Sequence, residues 1–314
     1  MKIRPGFIGI DVSKHHLDIF DPALGRVERL ANEPPAIAER IARWRDDPPF
    51  VLFEATGRYD AILRHALDTA GIAFARVNPT RARDFARAAG FLAKTDAVDA
   101  TMLAAMAQAL APEPQPSPAP DRARLTRLAK RRDQLVATRQ KERNRHRECD
   151  DPDIAADIEH HLAWLDEAIA AIERRIERHV ADTPELDRTT RLLRSVPGVG
   201  PVTATVLAAL MPELGTRSHK ALAALAGLAP FNNDSGKRRG QRSIRGGRKR
   251  VRDALYVAAF VAVRTATPFK TFYNRLIQAG KPRKLALIAV ARKLLTTLNA
   301  MIRHGKAFQP IEAS

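Results

Sequence analysis

The N-terminal third of the chain alternates short apolar runs with longer segments of helical periodicity. The apolar runs predict five strands, and helical spacing predicts helices after the third, fourth and fifth of them. The predicted strands span residues 6–12, 17–20, 27–30, 50–53 and 73–77. This order of elements is typical of an α/β domain.

Residues 96–110 predict a further helix. Thr95 is suited to cap it, because a threonine hydroxyl can accept a hydrogen bond from a free backbone N–H of the first turn. We expect the apolar residues of this helix to share one face; they are Val98, Met102, Met106 and Leu110.

Beyond a linker with five prolines at residues 111–120, the pattern is almost entirely helical. A coiled-coil seam is formed by Leu162, Leu165, Ile169, Ile172 and Ile176. The seam fits an intramolecular antiparallel hairpin and an intermolecular pairing equally well. We expect an α/β domain at 1–112, a Pro-rich linker with a helical coiled-coil spacer at 113–184, and a mostly α-helical domain at 185–314.

The chain is strongly basic, with a formal net charge of +18 and a pI of about 10.8. Such a charge favours nucleic acid as the partner, and an anionic membrane surface is the competing candidate. Membrane insertion is not expected, because we find no signal peptide and no apolar run of about 18 residues. Cys149 is the only cysteine, which excludes a disulfide framework and a zinc–cysteine cluster and fits a reduced, cytoplasmic setting.

Four acidic residues stand where an α/β sheet gathers functional groups. Asp11 ends or closely follows the first predicted strand, Glu54 ends a second central strand, and Asp96 and Asp99 share one face at a helix start. Clustered carboxylates repel one another unless a cation neutralises them, and oxygen ligands alone select Mg²⁺ or Mn²⁺. Taken singly, each acid is more often structural; Asp96, for example, would interact with the helix dipole. The combined pattern predicts a divalent-metal site.

A serine lies in a basic loop of the C-terminal part. Ser235 is followed by glycine, and residues 236–252 hold nine Lys or Arg, four Gly and no acid. The glycines would let a phosphate approach the backbone, and the cations would activate a hydroxyl that is otherwise a poor nucleophile. A turn is the commoner role of Ser-Gly alone, and Ser243 is the rival hydroxyl. The predicted nucleic-acid-binding residues are Lys237, Arg238, Arg239, Arg242, Arg245, Arg248, Lys249 and Arg250.

These motifs resemble those of the DEDD-type insertion-sequence transposases of the Piv/MooV class, a family of bridge-RNA-guided recombinases. The matching segments are residues 9–13 (GIDVS), 54–57 (EATG), 94–99 (KTDAVD) and the loop around Ser235. The resemblance implies an N-terminal RuvC-like domain of RNase H type, in which Asp11, Glu54, Asp96 and Asp99 bind metal. It also implies a C-terminal transposase domain in which Ser235 is the nucleophile that attacks DNA.

On this resemblance we expect a DNA transposase or site-specific recombinase of the prokaryotic cytoplasm, associated with the nucleoid. It would use Mg²⁺ or Mn²⁺, act on DNA, bind a guide RNA, and form a homodimer or tetramer whose protomers share a composite site. Two alternatives stay open from the residues. One is a metal-dependent junction nuclease that uses water in place of Ser235, and the other is a non-catalytic nucleic-acid-binding protein.

Overall fold

The computed structural model describes residues 3–55, 57, 59–91, 93, 95–115, 118–231 and 242–309. The chain divides into two compact units, Met1–Ser117 and Pro118–Ser314. The boundary falls inside the predicted proline-rich linker. The helices predicted as a spacer between two domains fall within the second unit.

The first unit is built on a five-stranded mixed sheet. Its strands are β1 (Phe7–Val12), β2 (His16–Asp21), β3 (Arg26–Ala31), β4 (Phe50–Glu54) and β5 (Phe74–Val77). Their order in space is β3-β2-β1-β4-β5; the pairs β1–β2 and β2–β3 are antiparallel, and the pairs β1–β4 and β4–β5 are parallel. The five predicted strands are confirmed, and the carboxyl ends of β1 and β4 lie side by side.

Four helices cover the two faces of this sheet. They are α1 (Pro34–Ala42), α2 (Ala61–Thr69), α3 (Pro79–Ala88) and α4 (Asp96–Leu110). Ile8 and Ile10 of β1 pack in one core with α1 and α2, whereas Phe7 packs in a second core with α3 and α4. Because side chains alternate along a strand, Gly9 and Asp11 point to the α4 side with Phe7.

Gly9 is the point at which α4 lies against β1. A Cβ built on Gly9 would come 2.0 Å from the carbonyl oxygen of Ala100 and 2.3 Å from the backbone nitrogen of Ala104. Any larger residue would push the helix away from the strand. The glycine therefore sets the depth at which α4, with its acidic first turn, sits on the sheet.

The α4 helix begins as predicted but buries more than one face. The Thr95 hydroxyl accepts a hydrogen bond from the backbone N–H of Val98 at 3.3 Å, which confirms the predicted cap. Met102 and Met106 are buried, but Leu110 is 48% exposed. Alanines around the helix are buried instead, because their short side chains allow close contact with the sheet.

The second unit is almost entirely helical. Its helices are α5 (Pro120–Glu148), α6 (Pro152–Ala181), α7 (Pro184–Arg194), α8 (Pro201–Leu210), α9 (His219–Leu225), α10 (Lys249–Ala262), α11 (Pro268–Gln278) and α12 (Arg283–His304). Between α9 and α10, β6 (Pro230–Phe231) and β7 (Ser243–Ile244) pair as an antiparallel ribbon.

The helices α5 and α6 form an antiparallel hairpin within the chain. All residues of the predicted seam except Leu162 are buried, and they pack against Leu125, Leu128 and Leu135 of α5. The seam is thus satisfied intramolecularly, which is one of the two pairings that its spacing allowed. Leu186 of α7 joins the same core, which explains why the hairpin is not a separate part.

The α12 helix is a core element of the second unit. Among the described helices it alone is long and apolar enough to cross a membrane, and 50% of its apolar window is buried inside the protein. Val290, Leu294 and Leu298 are fully buried in a core that also contains residues of α8 and α10. Its apolar composition is therefore explained by burial in this core.

Candidate functional site

Asp11 belongs to a row of three charged residues across β1, β2 and β3. Asp11 pairs with Asp18 in the register of β1 and β2, and Asp18 pairs with Arg29 in the register of β2 and β3. Directly opposite residues of antiparallel strands point to the same face, so these side chains are neighbours. The Ser13 hydroxyl closes the β1–β2 turn by donating to the His16 carbonyl at 2.9 Å and accepting from the His16 N–H at 3.0 Å.

The first turn of α4 brings Asp96 to this row. One carboxylate oxygen each from Asp11, Asp18 and Asp96 lie within 4.8 Å of one another. Asp99 lies in the same first turn as Asp96. The partial positive charge of a helix N-terminus favours acids at these positions, so α4 can carry two of them at low cost.

Glu54 is the last residue of β4 and lies next to the end of β1. The two strands pair in parallel up to Ile10 and Phe53, and Asp11 and Glu54 are each one residue beyond that pair. The parallel register, rather than sequence proximity, brings these two acids to the same edge of the sheet.

Asn32 connects the loop after Glu54 to the β1–β2 turn. Its side-chain amide donates to the carbonyls of Ser13 and Tyr59, both at 2.9 Å, and the residue is buried. A buried amide with two backbone partners holds both loops in place. Asn32 is therefore a supporting residue of the site that the sequence did not indicate.

The electrostatics of Asp11 reflect the crowding of carboxylates. The pKa of Asp11 is raised from its ordinary 3.8 to about 6, first by burial and then by the negative charges of Asp96, Asp99, Glu54 and Asp18. All four acids predicted from the sequence thus contribute to one electrostatic field. Thr56 and Lys94 of the matching motifs lie outside the described residues.

The donor set of this cluster suits a hard divalent cation. The side chains offer carboxylate oxygens, which Mg²⁺ and Mn²⁺ prefer, and burial of Asp11 among like charges would be relieved by a cation. The residues present therefore fit a divalent metal.

Two members of the cluster, Asp18 and Arg29, were missed by sequence reasoning. Arg29 donates through Nε and Nη2 to the two carboxylate oxygens of Asp18, both at 2.9 Å, and Nη2 also donates to Asp96 at 2.7 Å. The sequence did contain an indication of Asp18, because this acid interrupts an apolar strand. A buried charge there requires a partner. The identity of that partner depends on the strand register.

Ser235 lies outside the described residues, as do Lys237, Arg238 and Arg239. The described residues on either side of this segment pair with each other through the β6–β7 ribbon. Ser243, the rival hydroxyl, is exposed in β7. The structure thus describes the two ends of the predicted serine loop and leaves the role of Ser235 a prediction.

Three of the predicted nucleic-acid-binding side chains make ion pairs within the protein. Arg248 donates to the two carboxylate oxygens of Glu213 at 2.6 and 2.7 Å, and Arg250 to those of Asp133 at 2.5 and 2.8 Å. Lys249 pairs with an acid one turn along α10 at 2.6 Å. Burial alone would raise the pKa of Glu213, but the hydrogen bonds and charge of Arg248 outweigh it and lower the pKa. These cations therefore have structural roles that compete with phosphate binding.

Two other predicted contacts, Arg242 and Arg245, are exposed. The guanidinium of Arg245 lies over the ring of Phe231, 5.2 Å from its centroid, and Phe231 is 40% exposed. An exposed aromatic ring beside a cation matches the stacked bases and charged backbone of a nucleic-acid strand.

Of the two glycines that follow β7, Gly247 lies against protein backbone, whereas a Cβ on Gly246 would meet open space. Gly247 has a φ of +66°, and a Cβ on it would come 2.2 Å from the backbone nitrogen of Gly227. Gly247 thus permits close packing of this loop on the end of α9, and the approach of a phosphate to this loop stays a prediction.

Comparison with known proteins shows the family to which the chain belongs. A family model described as the IS116/IS110/IS902 transposase family matches residues 190–274, and a DEDD-type IS110 transposase model matches residues 8–149. The pilin gene-inverting protein of Moraxella bovis is 31% identical over 313 residues, covering 96% of this chain and 97% of that protein. The chain belongs to this transposase family.

Two further relatives extend the similarity. The pilin gene-inverting protein of Moraxella lacunata is 31% identical over 262 residues, covering 82% of the chain and 81% of that protein. An uncharacterized protein of insertion element IS116 from Streptomyces clavuligerus is 32% identical over 160 residues, covering 50% of the chain and 39% of that protein. The transposase is therefore an enzyme of DNA recombination, and the DEDD-type family match over residues 8–149 spans the acidic cluster.

Proposed function

We propose that this transposase cleaves and rejoins DNA strands with Ser235 as the nucleophile and a divalent-metal site formed by Asp11, Glu54, Asp96 and Asp99. The observation that carries the proposal is the acidic cluster at the end of β1, where four neighbouring acids and burial raise the pKa of Asp11 to about 6. Such a cluster is unfavourable for stability alone and is typical of phosphoryl-transfer sites.

A RuvC-like fold of RNase H type is part of this proposal. It is supported by the five-stranded mixed sheet, in which three antiparallel strands are followed by two that run parallel to the first. The DEDD-type family match over residues 8–149 is consistent with it.

The proposed chemistry exchanges one phosphodiester bond for another. The Ser235 oxygen forms a bond to the scissile phosphorus and loses its proton, while the bond from phosphorus to the leaving strand oxygen breaks and that oxygen gains a proton. Attack by a strand hydroxyl on the phosphoserine then reverses these changes with a new partner strand. Each step conserves one phosphate ester, so no nucleotide cofactor is required.

The residues of the chain have separate tasks in this scheme. The acids Asp11, Glu54, Asp96 and Asp99 would hold a divalent cation, which when bound supplies Lewis-acid stabilisation of phosphate charge. The exposed Arg242 would bind the DNA backbone, and Arg245 with Phe231 would contact a strand and its bases. The protein has a net charge of +18, which favours DNA binding in general.

We include three further features on the strength of the resemblance. They are guidance by a bridge RNA, a homodimer or tetramer with a composite site, and association with the nucleoid. The charge of α5 supports an RNA contact, because residues 121–148 hold eleven Lys or Arg and four Asp or Glu. DNA inversion is supported as an activity by the pilin gene-inverting relatives, which match almost the full chain in one case.

The test is a recombination assay in cells with the gene and its native flanking noncoding DNA. Excised circles and new junctions are amplified for the wild type, Ser235→Ala and Asp11→Ala. We expect junctions with the wild type only, because Ser235→Ala lacks the attacking oxygen and Asp11→Ala loses the central carboxylate of the cluster.

Matched controls separate the alternatives. Ser243→Ala removes the neighbouring exposed hydroxyl, and Asp84→Ala removes an exposed acid of α3; both are expected to recombine normally. Cleavage that persists with Ser235→Ala would indicate a water-using nuclease instead. Binding of nucleic acid without any metal-dependent cleavage would indicate a non-catalytic protein.

A further inference from the structure

Arg29 of β3 holds two carboxylates of the acidic cluster at once. Its Nε and Nη2 bond the two oxygens of Asp18, both at 2.9 Å, and the same Nη2 bonds Oδ2 of Asp96 at 2.7 Å. The pair with Asp18 is bidentate, which is the strongest arrangement available to a guanidinium and a carboxylate. The bond to Asp96 uses one shared nitrogen.

The two ends of this bridge differ in how easily they can open. The Asp18 side chain is 7% exposed, whereas that of Asp96 is 61% exposed. Breaking the buried end would leave an uncompensated charge in the protein, while water can solvate Asp96 if its bond breaks. Asp18 therefore anchors Arg29, and the contact to Asp96 is the one that can be exchanged.

The exchangeable contact of Arg29 involves Asp96, a carboxylate that a bound metal would also use. Carboxylate oxygens of Asp11, Asp18 and Asp96 lie within 4.8 Å of one another, and Asp96 is one of the acids assigned to the proposed metal site. A guanidinium bonded to Asp96 neutralises the charge that a cation would use, and it repels a divalent ion. Cation and Arg29 thus compete for the same carboxylate.

We infer that Arg29, anchored by Asp18, is a positioning residue that holds Asp96 in the metal-free protein and is displaced from it when a divalent cation binds. The inference rests on the proposed metal site. In the metal-free protein, Arg29 offsets repulsion within the cluster and keeps the first turn of α4 against the sheet. Arg29 thereby lowers the affinity of the site for metal while preserving its geometry.

Binding of Mn²⁺ measures this competition directly. Free Mn²⁺ is followed by electron paramagnetic resonance during titration of the full-length wild type, Arg29→Gln and Arg26→Gln. Arg26 is the matched control, because it lies on the same strand, faces the opposite side, and pairs with Glu28 at 3.0 Å. Arg29→Gln is expected to bind Mn²⁺ about two- to fivefold more tightly than the wild type, as loss of an exposed ion pair implies. Arg26→Gln is expected to match the wild type.

The remaining outcomes are distinguishable. Unchanged or weaker Mn²⁺ binding by Arg29→Gln, or equal tightening by Arg26→Gln, would overturn the inference and leave the metal site intact. Absence of Mn²⁺ binding by the wild type would overturn both the site and the inference. If Arg29→Gln does not fold, Arg29→Lys replaces it; a lysine cannot bond both acids as the planar fork does, so tighter binding is again expected and equal binding would refute the competition.

Discussion

At the scale of single residues, the acidic cluster is a site of unfavourable electrostatics. Asp11 is buried among acids that raise its pKa, and within the described residues Arg29 is a cation seen to bond two members of the cluster. Conventional α/β domains do not need such an arrangement for stability. In this transposase, the arrangement suits the binding of a divalent cation.

The stability of the metal-free protein should therefore depend on the protonation of Asp11. Its folded pKa of about 6 exceeds the ordinary 3.8, so the folded protein binds this proton more tightly than the unfolded chain does. This contribution makes folding less favourable as the pH rises through about 4 to 6, and the penalty is complete above that range. The neutral variant Asp11→Asn lacks it.

Thermal unfolding in the presence of a chelator, at a series of pH values, measures this effect as the difference between Asp11→Asn and the wild type. We expect the stability of Asp11→Asn relative to the wild type to increase as the pH rises from 4.5, and to level off above a pH of about 6, within a series that extends to 7.5. Asp84→Asn, at an exposed position of α3, serves as the control for the loss of a surface carboxylate. A stability difference between Asp11→Asn and the wild type that does not change with pH would contradict the raised pKa of Asp11.

At the scale of elements, the contact between β1 and α4 determines whether the site assembles. The strand carries Asp11, the helix carries Asp96 and Asp99, and Gly9 lies where their backbones meet. The helix N-terminus is thus positioned by packing that occurs one turn further along α4.

Gly9→Ala should both destabilise the first unit and displace the acids that α4 contributes to the acidic cluster. The added Cβ would lie 2.0 Å from a carbonyl oxygen of α4, which forces the helix away at a cost of about 3 kcal/mol. Urea unfolding measures the loss, and Mn²⁺ titration measures the effect on the site, which we expect to bind more weakly.

Gly200→Ala provides the comparison for this substitution. Gly200 has a φ of −82° and open space where the Cβ would be, so a change below about 1 kcal/mol is expected. A similarly small change for Gly9→Ala would show that α4 can shift without loss, and that the close contact does not position the acids.

At the scale of the whole molecule, the chain has two units with separate cores. The cores of Met1–Ser117 contain the sheet and α1 to α4, whereas those of Pro118–Ser314 contain the helices from α5 onward. Each core is thus completed by residues of its own unit.

A fragment of residues 1–117 is therefore expected to fold alone and to retain the acidic cluster. It should show one cooperative thermal transition with mixed α/β circular dichroism, and Mn²⁺ should raise the transition temperature. The same fragment with Asp11→Asn should unfold cooperatively but respond less to Mn²⁺. A wild-type fragment without a cooperative transition would mean that the first unit depends on the second.

The sequence by itself determined the strands and helices of the first unit and four of the five acids of the cluster. Strands and helices follow from hydrophobic periodicity, and the Thr95 cap follows from side-chain chemistry next to its own helix. Asp11, Glu54, Asp96 and Asp99 stood out because they end predicted strands or begin a helix. These features are local, so neighbouring residues are enough to specify them.

Only the tertiary structure decided which distant residues meet. Strand register paired Asp18 with Asp11 and with Arg29, and helix packing directed the α6 seam onto α5 within the same chain. Packing also engaged Arg248 with Glu213, where the basic run had indicated phosphate binding. These contacts join residues far apart in the chain, and their partners are selected by register and close packing rather than by any local pattern.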